Sequence, residues 1–427
     1  MKAVICKLNP IGYMASHVIK RFRPRVLTGP LNGLSLADVP EPELPGDDWV
    51  KLHTRLGGIC GTDTAIIGHR QPMDSILQAF SSQPILLGHE NVAEVVEVGP
   101  TADASWLGKR VCVDPTLSCG PRGIEPACHC CQTGNFGACE NFGDDGTGRY
   151  QIPRGTSIGY NNRTGGSLGE FFVAHQSQLF EVPASLTDEQ ALLTDPMACS
   201  LHAVLMTDLS AVNRVLIYGS GIVGLSTIAA LRAVGFAGQI DMVGMGDLNR
   251  QLAERLGVSH WLTLPRFEGW RFKRARIFAE RSRIMAEHLG VPLKLARFNN
   301  PMLAGGYDVT VDCLGSSESV TECLKWTAGR GQFVILGTGA GKDVDLTPIW
   351  FRELTVRGAY GRQREHFQGT DIQTYALVHR FLADGTIDAD GLLTHSFGAG
   401  DYREAFDVAM NKGRHQAIKV AMDFRDQ

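Results

Sequence analysis

Alternating hydrophobic and polar positions predict a β-rich first part of the chain, up to about residue 180. The segments Trp49–Thr54 and Asn91–Val98 alternate with period two, and Gly99-Pro100 ends the second segment. Successive side chains of a strand point to opposite faces, so this alternation is typical of half-buried strands. Met1–Cys6 also favours a strand. Loops rich in glycine and proline separate these strands, and we expect no long amphipathic helix between them.

From about Asn213 the pattern changes to strands that alternate with helices. Short apolar runs of strand length are followed by segments with the helical period. The predicted elements are strand Val215–Tyr218, helix Leu225–Ala233, strand Gln239–Val243, helix Asn249–Leu256, strand Asp308–Asp312 and strand Gln332–Leu336. Alternation of this kind predicts an α/β unit, with a parallel sheet that helices cover on both faces.

Two segments at the borders of this unit also have recognisable patterns. A helix is expected over residues 187–208, with Thr187 or Asp188 as its N-cap and Pro196 breaking or kinking it. The tail from about Arg357 returns to mixed short elements. It ends with Ala417–Met422, for which we predict an edge strand.

The segment 265–300 differs in charge from the rest of the chain. It holds nine basic and three acidic residues, the acidic ones being Glu268, Glu280 and Glu287. Apolar residues share one face at helical spacing, which predicts a basic amphipathic helix; they are Ala275, Phe278, Met285 and Leu289. Three interpretations stay open: a solvated helix packed on its apolar stripe, an oligomer contact, or a site for an anionic substrate group.

Composition narrows the class of protein. Of 427 residues, 44% are hydrophobic and 20% are charged, which is enough apolar material for two or three domains. The net charge of −4 argues against a protein that binds nucleic acid or anionic membranes. No apolar run approaches the roughly 18–20 residues of a transmembrane helix, and the first residues lack a signal-peptide pattern. We therefore expect a cytoplasmic protein without nucleic-acid or membrane partners.

A glycine-rich motif follows the first strand of the α/β unit and opens its first helix. The motif is Gly219-Ser220-Gly221-Ile222-Val223-Gly224. Its first glycine permits a tight turn, its second lets a pyrophosphate approach the backbone, and its third lets the helix pack closely on the strand. The helix N-terminus then faces the phosphates. The strand–turn–helix context makes this a dinucleotide-binding fingerprint rather than a chance match.

Coenzyme preference is expected about 20 residues further on, where an acidic residue would bind the ribose of NAD. That position falls near Gly244, so the usual acidic residue is missing. Asp247 would repel the 2′-phosphate of NADP, whereas Arg250 would attract it. The balance favours NAD.

Residues of the types that bind metal ions occur in the β-rich part and just before the α/β unit. Cys60 lies in Gly58–Asp63, His89-Glu90 follows Gly88, and Asp195 precedes Pro196. Cysteine, histidine and carboxylate are ligands of catalytic zinc, although the spacing alone is too wide to establish a site. Five of the eleven cysteines fall between positions 119 and 139, which favours metal binding over disulfides in a chain without a secretion signal.

The order of these motifs resembles the zinc-dependent branch of the medium-chain dehydrogenases, which includes sorbitol, threonine, glucose and alcohol dehydrogenases. The resemblance covers nearly the whole chain, from Lys2-Ala3-Val4 through Asp308–Gly315 to the final strand. It implies a GroES-like, β-rich catalytic domain and a Rossmann domain with a doubly wound parallel sheet. The implied borders are 1–190 for the catalytic domain, 191–352 for the coenzyme domain and 353–427 for a return to the catalytic domain.

The resemblance also implies roles for individual residues. Cys60, His89 and Asp195 would be ligands of the catalytic zinc. Glu90 would lie beside the metal, as a ligand or as the group that displaces water during turnover. Thr62 occupies the proton-relay position, between the substrate hydroxyl and the coenzyme ribose.

A structural zinc site is implied by the cysteine cluster. The family pattern is C-x2-C-x2-C-x7-C, and Cys128, Cys131 and Cys139 fit its last three positions. Glu125 stands at the first position, so Cys119 is the expected fourth ligand, with an insertion between it and Cys128. Glu125 or the surplus Cys130 remains the alternative fourth ligand.

The resemblance implies an oxidoreductase that transfers hydride between a secondary alcohol, polyol or sugar hydroxyl and NAD(P). It also implies two zinc ions per chain as cofactors, and a homodimer or homotetramer as the assembly. Two alternatives remain: a zinc-free reductase of quinones or enoyl groups on the same fold, and a coenzyme-binding protein without turnover. The substrate itself does not follow from the fold.

Overall fold

The computed structural model describes residues 1–70, 76, 81–141, 146–267, 271–339 and 343–426, without the side chains of residues 271, 272 and 299. The chain forms two compact units. The first combines Met1–Ala198 with Arg362–Gln427, and the second is Cys199–Gly361. Each unit has its own sheet system, described separately below.

The first unit is built mainly from strands in its N-terminal part. The strands are β1 (Lys2–Cys6), β2 (Leu34–Asp38), β3 (Trp49–Ile59), β4 (Ile85–Leu86), β5 (Glu90–Val98), β6 (Arg110–Val113), β7 (Phe171–His175) and β8 (Leu179–Glu181). The helices are α1 (Pro10–Ile19), α2 (Gly61–Ile67), α3 (Cys119–Arg122), α4 (His129–Gln132), α5 (Asp188–Ala191) and α6 (Thr194–Leu205). Helix α1 occupies a stretch in which no long helix was expected.

The second unit alternates strands and helices as the sequence predicts. Its strands are β9 (Arg214–Tyr218), β10 (Gln239–Val243), β11 (His260–Leu262), β12 (Leu293–Ala296), β13 (Asn300–Leu303), β14 (Tyr307–Asp312), β15 (Thr327–Ile335) and β16 (Thr355–Gly358). Its helices are α7 (Ile222–Ala233), α8 (Asp247–Arg255), α9 (Arg271–Leu289), α10 (Ser317–Trp326) and α11 (Thr347–Phe351). Strands β12 and β13 form a separate antiparallel hairpin.

The main sheet of the second unit is parallel, with strand order β11-β10-β9-β14-β15-β16. The two strands that follow β9 in the chain, β10 and β11, lie on one side of it, and the later strands β14, β15 and β16 lie on the other. This order is that of doubly wound nucleotide-binding sheets, in which the ligand site lies where the order reverses. The reversal falls at β9, directly before the glycine-rich motif.

The tail returns to the first unit. It contains β17 (Arg364–Phe367), β18 (Thr370–Gln373), α12 (Thr374–Ala383), β19 (Leu393–Gly398), α13 (Tyr402–Met410), α14 (Lys412–His415) and β20 (Lys419–Asp423). The larger sheet of this unit has the order β19-β20-β3-β5-β6-β8, with β7 also paired to β3. Strand β20 is therefore an inner strand, and the predicted edge strand was wrong: Val420, Ala421 and Met422 are all fully buried.

The helix predicted over 187–208 is divided into α5 and α6. Thr187 caps α5 as predicted, since its side-chain oxygen accepts a hydrogen bond from the backbone N–H of Gln190 (3.2 Å). The break precedes Pro196, which lies in the first turn of α6. Proline is tolerated there because the backbone N–H groups of a first turn have no intrahelical partner.

The basic segment forms α9 and the β12–β13 hairpin, with Glu268 outside the described residues. Met285 and Leu289 are buried in the core of the second unit, as the apolar stripe predicts. One basic side chain departs from the expected solvated face: Arg281 is 5% exposed and binds the fully buried Glu322 through two hydrogen bonds of 2.7 and 2.8 Å. Losing one partner of such a pair would leave an uncompensated buried charge.

Candidate active site and metal centres

Cys60 lies at the junction of β3 and α2, where its backbone caps the helix. The Cys60 N–H donates to Oδ2 of Asp63 (2.8 Å), and the Asp63 side chain is fully buried. A carboxylate in the first turn of a helix binds backbone N–H groups that lack intrahelical partners. This bond holds Cys60 at the start of α2, with its thiol partly exposed.

His89 and Glu90 enter the same region at the start of β5. His89 is 6% exposed, and its buried Nδ1 has no hydrogen-bond partner among the described residues. Burial lowers the pKa of His89, so the imidazole is neutral and has a free lone pair for a cation. Glu90 is 1% exposed.

Cys60, His89 and Glu90 form a group whose ligand atoms all lie within 4.8 Å of one another. A thiol, a neutral imidazole and a carboxylate are the donor types of catalytic zinc sites, in which three protein ligands leave one position open. The unpartnered imidazole nitrogen of His89 also fits a cation at this position. The donor set therefore matches a zinc ion.

A buried lysine faces this group. Nζ of Lys419, on β20, forms an ion pair with Oε2 of Glu90 and donates to the carbonyl oxygen of Ile59 (3.1 Å). Burial lowers the pKa of Lys419 to about 8, while Cys60 and Asp63 oppose this shift. A Cβ on Gly58 would lie 2.3 Å from Oε2 of Glu90, so only glycine leaves space for the ion pair.

Asp195, also predicted as a zinc ligand, is not a member of the group of three. Its Oδ1 accepts hydrogen bonds from Nε of Arg362 (3.0 Å) and from the Tyr375 hydroxyl (2.7 Å), and Nη2 of Arg362 contacts the same oxygen. Asp195 still acts electrostatically on His89, whose pKa it raises against the effect of burial. The ion pair with Arg362 neutralises the Asp195 carboxylate.

Thr62, the predicted relay residue, is half-buried on α2 beside Cys60. Its Oγ1 accepts a hydrogen bond from the Tyr160 hydroxyl (2.8 Å), which also lies 3.2 Å from Oδ1 of Asp63. The Tyr160 ring lies 5.4 Å from that of His89, centroid to centroid. Thr62, Tyr160 and Asp63 thus form a chain of oxygen atoms that starts beside the candidate metal group.

The four cysteines predicted for the structural site lie together: Cys119, Cys128, Cys131 and Cys139. Sγ of Cys139 is 3.6 Å from Sγ of Cys119 and 3.9 Å from Sγ of Cys128. Glu125 and Cys130, the alternatives for the fourth position, are outside this group. Four thiolates make a closed tetrahedral zinc site.

N–H donors surround these sulfur atoms. The Cys119 Sγ accepts from the Cys128 backbone (3.4 Å) and from Nδ2 of Asn141 (3.0 Å). Burial raises the pKa of Cys128, but donors that include the Glu140 backbone outweigh it and hold the pKa at about 6. Burial raises the pKa of Cys131 to about 11. Four neighbouring thiolates repel one another, so a bound cation is what would let all of them ionise together.

The glycine-rich motif forms the turn from β9 into α7. A Cβ on Gly224 would lie 1.8 Å from the carbonyl oxygen of Gly219, so the third glycine is required for the helix to pack on the turn. A Cβ on Gly221 would meet no described atom within 4 Å, which leaves the second glycine open to an approaching ligand. Ile222 and Val223 form the first turn of α7, whose free N–H groups suit a pyrophosphate.

Gly224→Ala is expected to lower the free energy of unfolding by roughly 2–3 kcal/mol and to weaken coenzyme binding, because α7 must move away from Gly219. Gly221→Ala is the matched control, since it should weaken coenzyme binding with little effect on stability. Chemical denaturation and coenzyme titration measure the two effects. Equal stability of both variants would contradict the packing role of Gly224.

The residues predicted to select the coenzyme lie at the start of α8, which follows β10. Asp247 is the first residue of the helix and is exposed. Nε of Arg250 donates to Oε1 of Glu254 (2.7 Å) one turn further on, and this hydrogen bond raises the pKa of Arg250. The guanidinium therefore already has a carboxylate partner on the surface of the helix.

Two family patterns match this chain. Residues 46–184 match the alcohol dehydrogenase GroES-like domain, and residues 223–376 match the zinc-binding dehydrogenase domain. The chain belongs to the zinc-binding dehydrogenase family. It is an oxidoreductase that transfers hydride between a hydroxyl compound and a nicotinamide coenzyme, with zinc as a cofactor. The predicted family, fold class and reaction are thereby confirmed.

Several similar proteins are known by name. L-Threonine 3-dehydrogenase from Coxiella burnetii (strain Dugway 5J108-111) is 28% identical over 383 residues, which is 90% of this chain and 94% of that enzyme. A protein from Sinorhizobium meliloti 1021, classed with zinc-binding dehydrogenases and solved with NADP, is 25% identical, covers 99% of both chains and has a TM-score of 0.69. The 2R,3R-butanediol dehydrogenase of Bacillus subtilis has the same fold, at 22% identity, 99% coverage of both chains and a TM-score of 0.66.

Three residues around the candidate site were missed by sequence reasoning: Tyr160, Arg362 and Lys419. Lys419 had a visible signal, because it is a charged residue in an otherwise apolar strand, Ala417–Met422. Such a lysine is buried only when it is paired. Tyr160 lies in a loop and Arg362 follows a strand, and neither position carries a comparable pattern.

Among the described residues, no helix combines the length and apolarity needed to cross a membrane.

Proposed function

We propose that this chain oxidises a secondary alcohol, polyol or sugar hydroxyl, with Cys60, His89 and Glu90 holding the zinc ion. The observation that carries the proposal is the group of three donors beside the Thr62–Tyr160 hydrogen bond. When bound, zinc lowers the pKa of the alcohol as a Lewis acid, and the nicotinamide accepts the hydride.

Lys419 tunes the charge of this donor group. Glu90 is neutralised by its ion pair with Lys419, so the Cys60 thiolate carries the net negative charge of the set. A less negative donor set leaves more of the charge of the cation available to the substrate oxygen. Burial of Glu90 and Lys419 excludes water from the pair and strengthens this effect.

Thr62, Tyr160 and Asp63 provide the route for the proton that the alcohol loses. The Thr62 hydroxyl accepts that proton and passes its own hydroxyl proton to the Tyr160 oxygen, while Tyr160 turns its hydroxyl from Thr62 to Asp63 and gives its proton to Oδ1 of Asp63. The distances of 2.8 and 3.2 Å from the Tyr160 oxygen suit both arrangements. This route needs no histidine on α2, where the position used by some alcohol dehydrogenases is Ala65.

Thr62→Ala should lower kcat about 10²-fold, because it removes a group that transfers a proton in the transition state. Thr62→Ser keeps the hydroxyl and should retain most of the activity. Tyr160→Phe should give an intermediate loss and shift the pH profile of kcat. Thr64→Ala, two residues further along α2, is the matched control. Full activity of Thr62→Ala would contradict the relay.

We further propose NAD as the preferred coenzyme and L-threonine as the first substrate to test. Asp247 places a negative charge at the start of α8, and Arg250 is engaged by Glu254, which together disfavour a 2′-phosphate. The L-threonine hydroxyl is a secondary alcohol, and the Coxiella burnetii relative is named for this substrate.

The test measures reduced-nicotinamide absorbance with L-threonine, 2,3-butanediol, polyols, sugars and 2-propanol, each with NAD and with NADP. Oxidation of at least one secondary alcohol, with higher kcat/KM for NAD, is the expected result. A preference for NADP would overturn the coenzyme proposal. Turnover of primary alcohols alone would overturn the proposed substrate class.

A further inference from the structure

A third group of metal-type ligands lies in the second unit, apart from the cysteines. Asp241 on β10 is fully buried, His260 on β11 is its partner in the parallel register, and His288 is on the last turn of α9. Nδ1 of His260 is 2.9 Å from Oδ1 of Asp241, and Nε2 of His288 is 2.7 Å from Oδ2. The three ligand atoms lie within 4.8 Å of one another.

These separations are close to those that a tetrahedral cation requires. With metal–ligand distances of about 2.0–2.1 Å, neighbouring ligand atoms of a tetrahedral site are about 3.3 Å apart. The nitrogen–oxygen distances would therefore open by only about half an ångström when a cation replaces the two shared protons. Rotation of the His260 and His288 side chains is enough for a change of this size.

The carboxylate of Asp241 is already oriented by neighbours that would remain in place. Nε2 of Gln239 and the Tyr307 hydroxyl each donate a hydrogen bond of 2.8 Å to Oδ2 of Asp241. Burial raises the pKa of Asp241, but hydrogen bonds from the two histidines, Tyr307 and Gln239 outweigh burial and lower it. Asp241 is thus an ionised, fixed ligand, of the kind that outer hydrogen bonds create around protein metals.

A cation can reach this group from solvent. The His260 side chain is 52% exposed and that of His288 is 20% exposed, whereas Asp241 lies beneath them. The positive charge of Arg214 acts on the neighbouring Tyr307, and the same charge would repel a cation bound at this site. Asp241 offsets that charge, and both imidazoles are neutral when they act as ligands.

We propose that Asp241, His260 and His288 form a third metal site, which binds Zn²⁺ or a similar divalent transition ion at the surface of the second unit. The site joins three elements: the sheet strands β10 and β11 and the C-terminal end of α9. A cation bound there fixes α9 to the sheet. Two imidazoles and one carboxylate with an open position suit zinc, cobalt or nickel rather than magnesium or calcium.

The experiment uses the full-length protein without a histidine tag, loaded with two zinc ions per chain to fill the two cysteine-containing sites. Calorimetric titration with further ZnCl₂ then counts the additional ions. His260→Gln and His288→Gln each remove one ligand, and the His260 variant should fold normally because this side chain is 52% exposed. His366→Gln is the matched control, because His366 pairs with Asp371 (2.9 Å) on the exposed surface and the described part of the chain adds no third ligand to this pair.

One further zinc ion per chain is expected for the wild type and for His366→Gln, and none for the His260 and His288 variants. Zinc should also raise the midpoint temperature of thermal unfolding, but only for the wild type and His366→Gln, because binding to the folded state stabilises it. Equal zinc stoichiometry in all four proteins would overturn the proposal. Alcohol oxidation by the variants shows separately whether the catalytic zinc is intact, so failure of one proposal does not affect the other.

Discussion

Cys60→Ser is expected to abolish binding of the catalytic zinc and to lower kcat about 10³-fold or more. A serine hydroxyl is not ionised near neutral pH, so the substitution removes the anionic ligand of the group. His89 and Glu90 would remain, but the charge of Glu90 is already neutralised by Lys419. A Lewis-acid metal contributes several kcal/mol to the transition state, and each 1.36 kcal/mol is tenfold in rate.

Metal analysis and steady-state kinetics on the same preparation test this prediction. Cys130→Ser is the control, because Cys130 is a partly buried cysteine outside both thiol-containing groups. It should keep the zinc content of the wild type and full activity. If Cys60→Ser retained the wild-type zinc content, Cys60 would not be a ligand.

Cys128→Ser is expected to release the structural zinc and to lower the free energy of unfolding by roughly 4 kcal/mol or more. The segment that carries Cys128, Cys131 and Cys139 has almost no apolar core of its own. From residue 123 to residue 141, all of which the structure describes, Cys139 is the single buried residue. Its short elements, such as α4, are therefore held mainly by the four thiols.

Cys130→Ser provides a close control here too, since it changes a cysteine only two residues from Cys128. Chemical denaturation gives the stability, metal analysis gives the zinc content, and limited proteolysis should cut the Cys128→Ser variant within 120–141. Equal stability and equal zinc content of the two variants would show that Cys128 holds no metal.

The secondary structure of the second unit was predictable because its strands are short buried runs with clear periods. Strand Gln239–Val243 was predicted with its observed bounds, and the strand before the glycine-rich motif differs by one residue. The position of β20 was not predictable in the same way. Its pairing with β3 joins residues more than 350 positions apart, and its inner position follows from pairing with both β19 and β3.

The candidate sites, too, were only partly predictable from the sequence. The family resemblance identifies Cys60 and His89 as ligands, and the cysteine cluster contains the four thiols that the structure brings together. The pairing of Asp195 with Arg362 does not follow from the sequence, because the two residues are 167 positions apart. A carboxylate in a ligand position can equally serve an ion pair, and the local sequence around Asp195 does not distinguish these roles.

The dependence of alcohol oxidation on zinc tests the central claim most directly. The wild-type protein is stripped with a chelator, its metal content is measured, and reduced-nicotinamide formation is followed before and after zinc or magnesium is added. We predict that stripped protein is inactive and that zinc, but not magnesium, restores turnover, with no recovery in Cys60→Ser. Full turnover by protein that metal analysis shows to be free of zinc would contradict the account.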